Sequence, residues 1–106
     1  ALKAGVAWYG SVARSYHPGD KSALDLVARI KAPMLGLYGG ADPGIPNDSV
    51  DTMRDALKAA GNTRSEMVIY PDTPHAFNAD YRPSYRKTQA EDGWKRCLAW
   101  FAQHLA

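Results

Sequence analysis

Three short apolar runs divide the chain and predict its strands. The runs are Gly5–Tyr9, Met34–Tyr38 and Glu66–Tyr70, and glycine or proline lies close to their ends. Their apolar residues are consecutive rather than alternating, which is typical of strands that are covered on both faces of a sheet. The pattern therefore predicts three buried strands.

Apolar residues at helical spacing predict a helix between each pair of strands. The first helix is predicted to be short, to be capped by Ser22 and to end before Pro33. The second is predicted to have Asn47 or Ser49 as its cap and to stop at Gly61. The expected apolar faces are Leu24, Val27 and Ala28 in the first helix, and Val50, Met53, Leu57 and Ala60 in the second.

A third helix is predicted after the last strand, from about Lys87 to His104. Two proline-containing stretches, residues 11–20 and 71–83, are predicted to be loops. The inner face of the third helix is expected to consist of Ala90, Trp94, Cys97, Leu98, Phe101 and Leu105.

Strands that alternate with helices imply parallel pairing, because parallel neighbours need a long right-handed return path. We expect an α/β fold, a partial doubly wound domain of about three parallel strands with flanking helices. The strand at residues 5–9 has no predicted partner on its outer side. Self-association, or complementation by another chain, is therefore expected through this exposed sheet edge. The chain opens with Ala1-Leu2-Lys3, so we interpret it as a fragment or a processed product.

Composition excludes several classes of protein. A length of 106 residues suits one domain, and a net charge of +2 gives no reason to expect a nucleic-acid partner. No run approaches the roughly 20 apolar residues that cross a bilayer, so no membrane association is expected. The single cysteine rules out an internal disulfide and leaves the compartment open. Our working expectation is a cytoplasmic location.

An acid and a histidine follow two successive predicted strands. Asp42 comes shortly after the second strand, and His75 comes shortly after the third. Ligands of open α/β sheets bind at the carboxyl ends of the strands, so these two side chains are expected to meet there. An acid that orients an imidazole, which takes a proton from a nucleophile, is typical of a Ser/Cys-Asp-His triad. The Gly-x-(Ser/Cys)-x-Gly turn of such a nucleophile does not occur in the sequence.

The sequence resembles the dienelactone hydrolase family, a branch of the α/β-hydrolases, along nearly its whole length. Its most specific segments are Gly-Gly-Ala-Asp-Pro at residues 39–43 and Pro-His-Ala-Phe at residues 74–77. The resemblance implies that Asp42 is the triad acid and His75 the triad base. It also implies that residues 1–106 are the carboxy-terminal portion of one α/β-hydrolase domain, whose nucleophile lies upstream of Ala1. The segments that carry it are Ala4–Gly10, Ile30–Pro46, Tyr70–Phe77, Arg82–Tyr85 and Ala90–Trp94.

By the same resemblance, the complete enzyme hydrolyses a small-molecule ester or lactone and needs neither a cofactor nor a metal. Tyr9, Ser11 and Phe77, at the same end of the sheet, are candidate substrate-binding residues. The founding enzymes hold a substrate carboxylate with an arginine soon after the triad histidine, whereas residues 78–80 here are Asn-Ala-Asp. A broader ester or lactone preference is therefore expected. The isolated chain is expected to be inactive.

Two side chains within the chain could replace the missing nucleophile. Cys97 lies in the middle of the last predicted helix, on its inward face, where a thiol is usually inert. Ser11, just past the first strand, is better placed, although the sequence around it lacks a strand-to-helix elbow. A different class of function also stays open, in which the chain is a non-catalytic binding or association module. That alternative predicts that Asp42 and His75 point apart or away from a shared cleft.

Other kinds of site find little support in the sequence. His17, His75 and His104 do not have metal-ligand spacing. No lysine follows the glycines at 36, 39, 40 and 44 in the register of a phosphate loop. The aromatic and basic stretch at residues 81–87 could stack on single-stranded nucleic acid, but the near-neutral charge favours a solvated loop.

Overall fold

The computed structural model describes residues 2–14 and 19–105. Its centre is a three-stranded parallel sheet in the order β1 (Gly5–Trp8), β2 (Met34–Gly39) and β3 (Glu66–Tyr70). All three predicted strands and their parallel pairing are confirmed, with ends that differ by at most one residue. Part of the predicted loop at residues 11–20, including Pro18 and the candidate His17, lies outside the described residues.

Helix α1 (Asn47–Ala59) connects β2 to β3 and buries Val50, Met53 and Leu57, as its spacing predicts. Gly61 stops the helix as predicted: it follows the C-cap Ala60, and its φ of 88° suits glycine. The Asn62 and Gly61 N–H groups donate back to the Leu57 and Lys58 carbonyls, at 2.9 and 3.0 Å, in the manner of a Schellman motif.

The predicted cap of α1 is wrong. Pro46 occupies the capping position, and no side chain caps the helix. Asn47 and Ser49 are engaged elsewhere, since the Asn47 amide donates to the Gly40 carbonyl and the Ser49 hydroxyl donates to the Pro46 carbonyl. Both residues lie inside the first turn, so their side chains bond to carbonyl groups rather than to the unpaired N–H groups.

The first predicted helix is reduced to a 3-10 helix at Val27–Arg29. Its predicted cap is wrong: Leu26 occupies the capping position without a side-chain bond, and Ser22 instead exchanges two hydrogen bonds with Asp25 in the turn that precedes the helix. The backbone then makes successive i to i+3 bonds up to Ile30. A segment this short before Pro33 gains too few helical bonds to propagate an α-helix.

Helix α2 (Lys87–Leu105) follows the prediction in its extent but is rotated about its axis. Ala90 and Cys97 are buried as expected. Trp94, Leu98 and Leu105 are instead about half exposed, at 54, 54 and 52%. The rotation has a steric cause: a Cβ at Gly93 would lie 2.8 Å from the Trp8 indole, so α2 packs on β1 through this glycine. Gly93 and Trp100 therefore take the inner positions.

The core has two parts, one on each face of the sheet, as expected for strands covered on both sides. The part beside α1 is formed by Val12, Tyr38, Ile45, Val50, Met53 and Leu57. The part beside α2 is formed by Ala4, Leu35, Leu37, Phe77 and Trp100. Within the described residues, β1 pairs only with β2, and its outer edge is unpaired. None of the helices described there combines the length and apolar character needed to cross a bilayer.

Candidate active site

The loops that follow β2 and β3 are joined by backbone hydrogen bonds. The Gly40 N–H donates to the Tyr70 carbonyl at 2.7 Å, and the Ala41 N–H donates to the Thr73 carbonyl at 2.9 Å. Gly39 permits this approach, because a Cβ there would press on the carbonyl oxygens of Thr73 and Pro74. The two loops therefore leave the sheet side by side.

This arrangement brings together the two residues that the sequence singled out. The Nδ1 atom of His75 lies 2.5 Å from Oδ2 of Asp42. The other carboxylate oxygen, Oδ1, accepts a hydrogen bond of 2.9 Å from the Gly44 N–H. Each oxygen of Asp42 thus has a partner, which fixes the plane of the carboxylate and offsets the cost of burying it.

Burial differs sharply between the two partners. The Asp42 side chain is 4% exposed, whereas the His75 side chain is 49% exposed. A neutral imidazole that donates from Nδ1 to a carboxylate keeps Nε2 as an acceptor. A buried acid therefore orients a base whose ring remains accessible, as in a triad.

The loop that carries His75 is fixed at several points. Ala76 has a φ of 60°, an uncommon conformation for a residue other than glycine. The carbonyl of Ala76 accepts from the Ser84 hydroxyl at 3.3 Å, and the Phe77 carbonyl accepts from the Arg86 N–H at 3.0 Å. Thr73, just before His75, is fully buried and donates to the Pro71 carbonyl.

Asp42 and His75 open onto a cleft of about 790 Å³ at the carboxyl ends of β1 and β2. Tyr9 and Ser11, both predicted to bind substrate, also line it. Phe77 does not reach its surface, because this residue is fully buried and its ring packs against those of Trp8, Tyr9 and Tyr70. The lining consists of Trp8, Tyr9, Gly10, Ser11, Arg14, Asp42, Gly44, Ile45 and His75.

Neither candidate nucleophile is hydrogen-bonded to the histidine. The Ser11 hydroxyl donates to the Arg14 carbonyl at 3.2 Å. Cys97 is buried on α2 and does not line the cleft, and burial raises the pKa of its thiol, which disfavours the reactive thiolate. Within residues 2–14 and 19–105, no serine or cysteine is hydrogen-bonded to His75.

Other candidate sites find no support in the part of the chain that the structure describes. It contains no cluster of three or more His, Cys, Asp or Glu side chains able to hold a metal ion. His104 packs against the Trp100 ring, with centroids 4.3 Å apart. In the aromatic and basic stretch, Arg86 donates to the carbonyls of Pro83 and Tyr85 and thereby stabilises its own loop.

Several features of the cleft are not evident from the sequence. The Gly44 N–H holds the acid, and Arg14 and Ile45 lie on the cleft wall. The Asp-Pro-Gly turn at residues 42–44 could have predicted the bond from the Gly44 N–H to Asp42, since an aspartate commonly bonds to the N–H two residues later. Arg14 and Ile45 carry no such signal, because their position depends on how distant loops fold over the sheet.

Comparison with known proteins identifies the family of the chain. Residues 1–105 match the model of the dienelactone hydrolase family. A proposed carboxymethylenebutenolidase of Escherichia coli K12 is 54% identical over 109 residues, which cover 97% of this chain and 38% of that protein. A homologue of the same name in Salmonella typhimurium is 55% identical over 104 residues, with the same shares covered.

Solved structures of related proteins also superpose on the chain. A proposed dienelactone hydrolase of Klebsiella pneumoniae superposes with a TM-score of 0.88 at 53% identity, over 96% of this chain and 42% of that one. Phosphonylated esterase 2 of Thermogutta terrifontis superposes with a TM-score of 0.75 over 95% of this chain and 40% of that one. At 19% identity, the esterase shows a shared α/β-hydrolase fold alone. The chain spans 38% of the length of the Escherichia coli relative, and it belongs to the dienelactone hydrolase family.

Proposed function

We propose that this chain supplies the acid and the base of a Cys- or Ser-Asp-His triad that hydrolyses an ester or a lactone. One observation carries the proposal: the buried carboxylate of Asp42 lies 2.5 Å from Nδ1 of His75 at the wall of a cleft. Membership of a hydrolase family supports the same chemistry. The non-catalytic alternative predicted that the two side chains point apart, and that prediction is wrong.

The proposed reaction is a two-step acyl transfer. His75 Nε2 takes the proton of the nucleophile as its oxygen or sulfur bonds to the substrate carbonyl carbon. The tetrahedral intermediate then expels the alcohol oxygen, which receives that proton from Nε2. Water attacks the acyl-enzyme in the same way, and its proton passes through Nε2 to the departing nucleophile. Asp42 holds the imidazole in the required tautomer and stabilises its charged form throughout.

The nucleophile and the oxyanion-binding N–H groups are proposed to lie outside these 106 residues. Two observations support this: no described serine or cysteine bonds to His75, and the curated relatives are more than twice as long as the matched region. On this proposal, residues 1–106 form the carboxy-terminal portion of one α/β-hydrolase domain, and the nucleophile precedes them.

The proposed substrate is a small ester or lactone, and the lining of the cleft supports this choice. The cleft wall combines apolar surface from Trp8 and Ile45 with the cation of Arg14. An apolar wall accommodates the hydrocarbon part of an ester, and a cation at the rim attracts substrates that carry negative charge. No step of the proposed reaction requires a cofactor or a metal.

A hybrid enzyme tests the proposed function. The matched region of the Escherichia coli relative is replaced by this chain, and hydrolysis of p-nitrophenyl acetate is measured. His75→Ala and Asp42→Asn are expected to lower kcat by about a thousandfold or more, since triad members act as a unit. His104→Gln, a histidine remote from the cleft, is the matched control and should retain activity.

Thermal unfolding of each hybrid shows whether it is folded. A folded hybrid whose hydrolysis survives His75→Ala would refute the proposed role of His75. Loss of activity in each of three single variants, at the nucleophile, at His75 and at Asp42, together with retained activity in His104→Gln, would support the triad.

A further inference from the structure

Tyr9 occupies an unusual backbone conformation at the mouth of the cleft. It follows β1 directly, and its N–H donates to the Leu37 carbonyl at 2.7 Å. Its φ is 41°, in the left-handed region that a bulky residue seldom adopts. Such a conformation persists only where the surrounding contacts hold it, and it is frequent at functional sites.

The ring of Tyr9 lies between the histidine and the core. Its centroid is 5.0 Å from that of the His75 imidazole, with the planes at 63°. The Tyr9 ring also packs against the fully buried ring of Phe77, with centroids 5.4 Å apart and planes at 68°. Both are edge-to-face arrangements, which are favourable and directional.

This contact supplies a constraint that the carboxylate cannot. Asp42 fixes the imidazole at one atom, Nδ1, so the half-exposed ring could still tilt about that hydrogen bond. A rigid ring packed edge-on against the imidazole restricts that tilt. Phe77 supports Tyr9 from behind and is itself held between the rings of Trp8 and Tyr70.

We propose that Tyr9 is a positioning residue, whose ring holds the His75 imidazole in the plane that directs Nε2 into the cleft. The proposal rests on the proposed function of His75 as the base. The aromatic ring, rather than the hydroxyl, performs this role. Burial raises the pKa of the Tyr9 phenol, so the side chain is uncharged at neutral pH.

Three substitutions separate the ring from the hydroxyl and from the backbone. Tyr9→Phe keeps the ring and should behave as the parent protein. Tyr9→Leu keeps apolar bulk without an aromatic edge. Tyr9→Gly relieves the positive φ and removes the ring, so it should lose positioning without a backbone penalty. Trp94→Leu is the matched control, since Trp94 is a half-exposed aromatic residue on α2 and forms no ring pair with Tyr9, Phe77 or His75 in the described structure.

NMR of the ¹⁵N-histidine-labelled chain measures the orientation of the His75 imidazole and does not require catalytic activity. The parent chain and Tyr9→Phe should show His75 as one tautomer, protonated at Nδ1, with a protected N–H. Tyr9→Leu and Tyr9→Gly should mix the tautomers and exchange that proton about tenfold faster or more. Trp94→Leu should not change either signal. Unchanged His75 signals in Tyr9→Leu and Tyr9→Gly would overturn the proposal.

The hybrid enzyme provides a second measurement. Tyr9→Leu should lower kcat by about tenfold to a hundredfold with little change in KM, because a misplaced base costs rate rather than substrate affinity. Tyr9→Phe should restore kcat to within about twofold of the parent. A change confined to KM would overturn the positioning role. If the hybrid retains activity in His75→Ala, the proposed function fails, whereas the NMR result still decides whether Tyr9 orients the imidazole.

Discussion

The Tyr70 hydroxyl donates a hydrogen bond of 2.6 Å to the Asp92 carboxylate and so connects the end of β3 to α2. Arg96, one turn further along α2, donates to the same carboxylate oxygen at 2.7 Å. These bonds lower the pKa of Asp92, and burial, followed by the hydrogen bond to Asp92, raises the pKa of Tyr70. The bond therefore joins the strand that leads to His75 with the helix that covers its core.

Stability should depend on pH through this pair, with opposite signs at the two ends of the scale. The depressed pKa of Asp92 adds stability above its unfolded value near 4, and this is lost as pH falls below it. The raised pKa of Tyr70 adds stability that is complete below the unfolded value near 10 and is lost as pH rises above it.

Tyr70→Phe tests the pair. It should reduce the free energy of unfolding at pH 7 by roughly 1 kcal/mol, a modest value because Asp92 is nearly half exposed. It should also flatten the loss of stability above pH 10, as measured by urea unfolding. Arg54→Gln, which removes an exposed ion pair with Asp51, is a control that should leave the loss of stability above pH 10 unchanged. If Tyr70→Phe lost stability above pH 10 as steeply as the parent chain does, the proposed contribution of Tyr70 would be contradicted.

Gly39→Ala should disrupt the site through the backbone. The added methyl group would press on the carbonyl oxygens of Thr73 and Pro74, so the loops after β2 and β3 must separate. We expect a loss of about 1–3 kcal/mol in the free energy of unfolding. The Asp42–His75 hydrogen bond should weaken as well, which the His75 Nδ1–H resonance reports. Gly10→Ala is the matched control, because a Cβ there meets only the Ala7 methyl, at 4.0 Å.

The isolated chain should not hydrolyse activated esters through His75. The described residues offer no nucleophile bonded to that histidine, and an imidazole alone gives little rate enhancement. Release of p-nitrophenol from p-nitrophenyl acetate should be the same for the parent chain and for His75→Ala. Hydrolysis that disappears in both His75→Ala and Ser11→Ala would instead identify Ser11 as a nucleophile.

The isolated chain should associate in solution. Trp94, Leu98 and Leu105 expose about half of their surfaces along α2, and β1 offers an unpaired edge in the described structure. Sedimentation should show a concentration-dependent rise in mass. The double substitution Trp94→Lys and Leu98→Lys should shift the chain towards the monomer if α2 is responsible. Association that persists in this variant would assign it to the edge of β1, and a strict monomer at high concentration would contradict both.

The sequence predicted the parts of the fold that local pattern controls. Continuous apolar runs identify the strands, and the strand-to-loop positions of Asp42 and His75 led to the expectation that they meet. The face of α2 could not be predicted from spacing alone, because Gly93 against Trp8 decides it, and a glycine carries no apolar signal. The first helix is also shorter than predicted: Ser22 and Asp25 bond to each other in a turn, and only Val27–Arg29 before Pro33 become helical.

The surroundings of Asp42 and His75 could largely not be predicted from the sequence. The burial of Phe77 behind Tyr9, and the placement of Arg14 on the wall, depend on contacts between residues far apart in the chain. Pattern rules describe neighbours along a helix or strand, so they do not report which distant rings will meet.

The backbone bonds from Gly40 to Tyr70 and from Ala41 to Thr73 have an evolutionary consequence. They hold acid and base at a set separation through main-chain atoms, provided that Gly39 leaves room for the carbonyl oxygens of Thr73 and Pro74. The surrounding side chains can therefore diversify, and substrate preference with them, while the proton-transfer pair keeps its spacing.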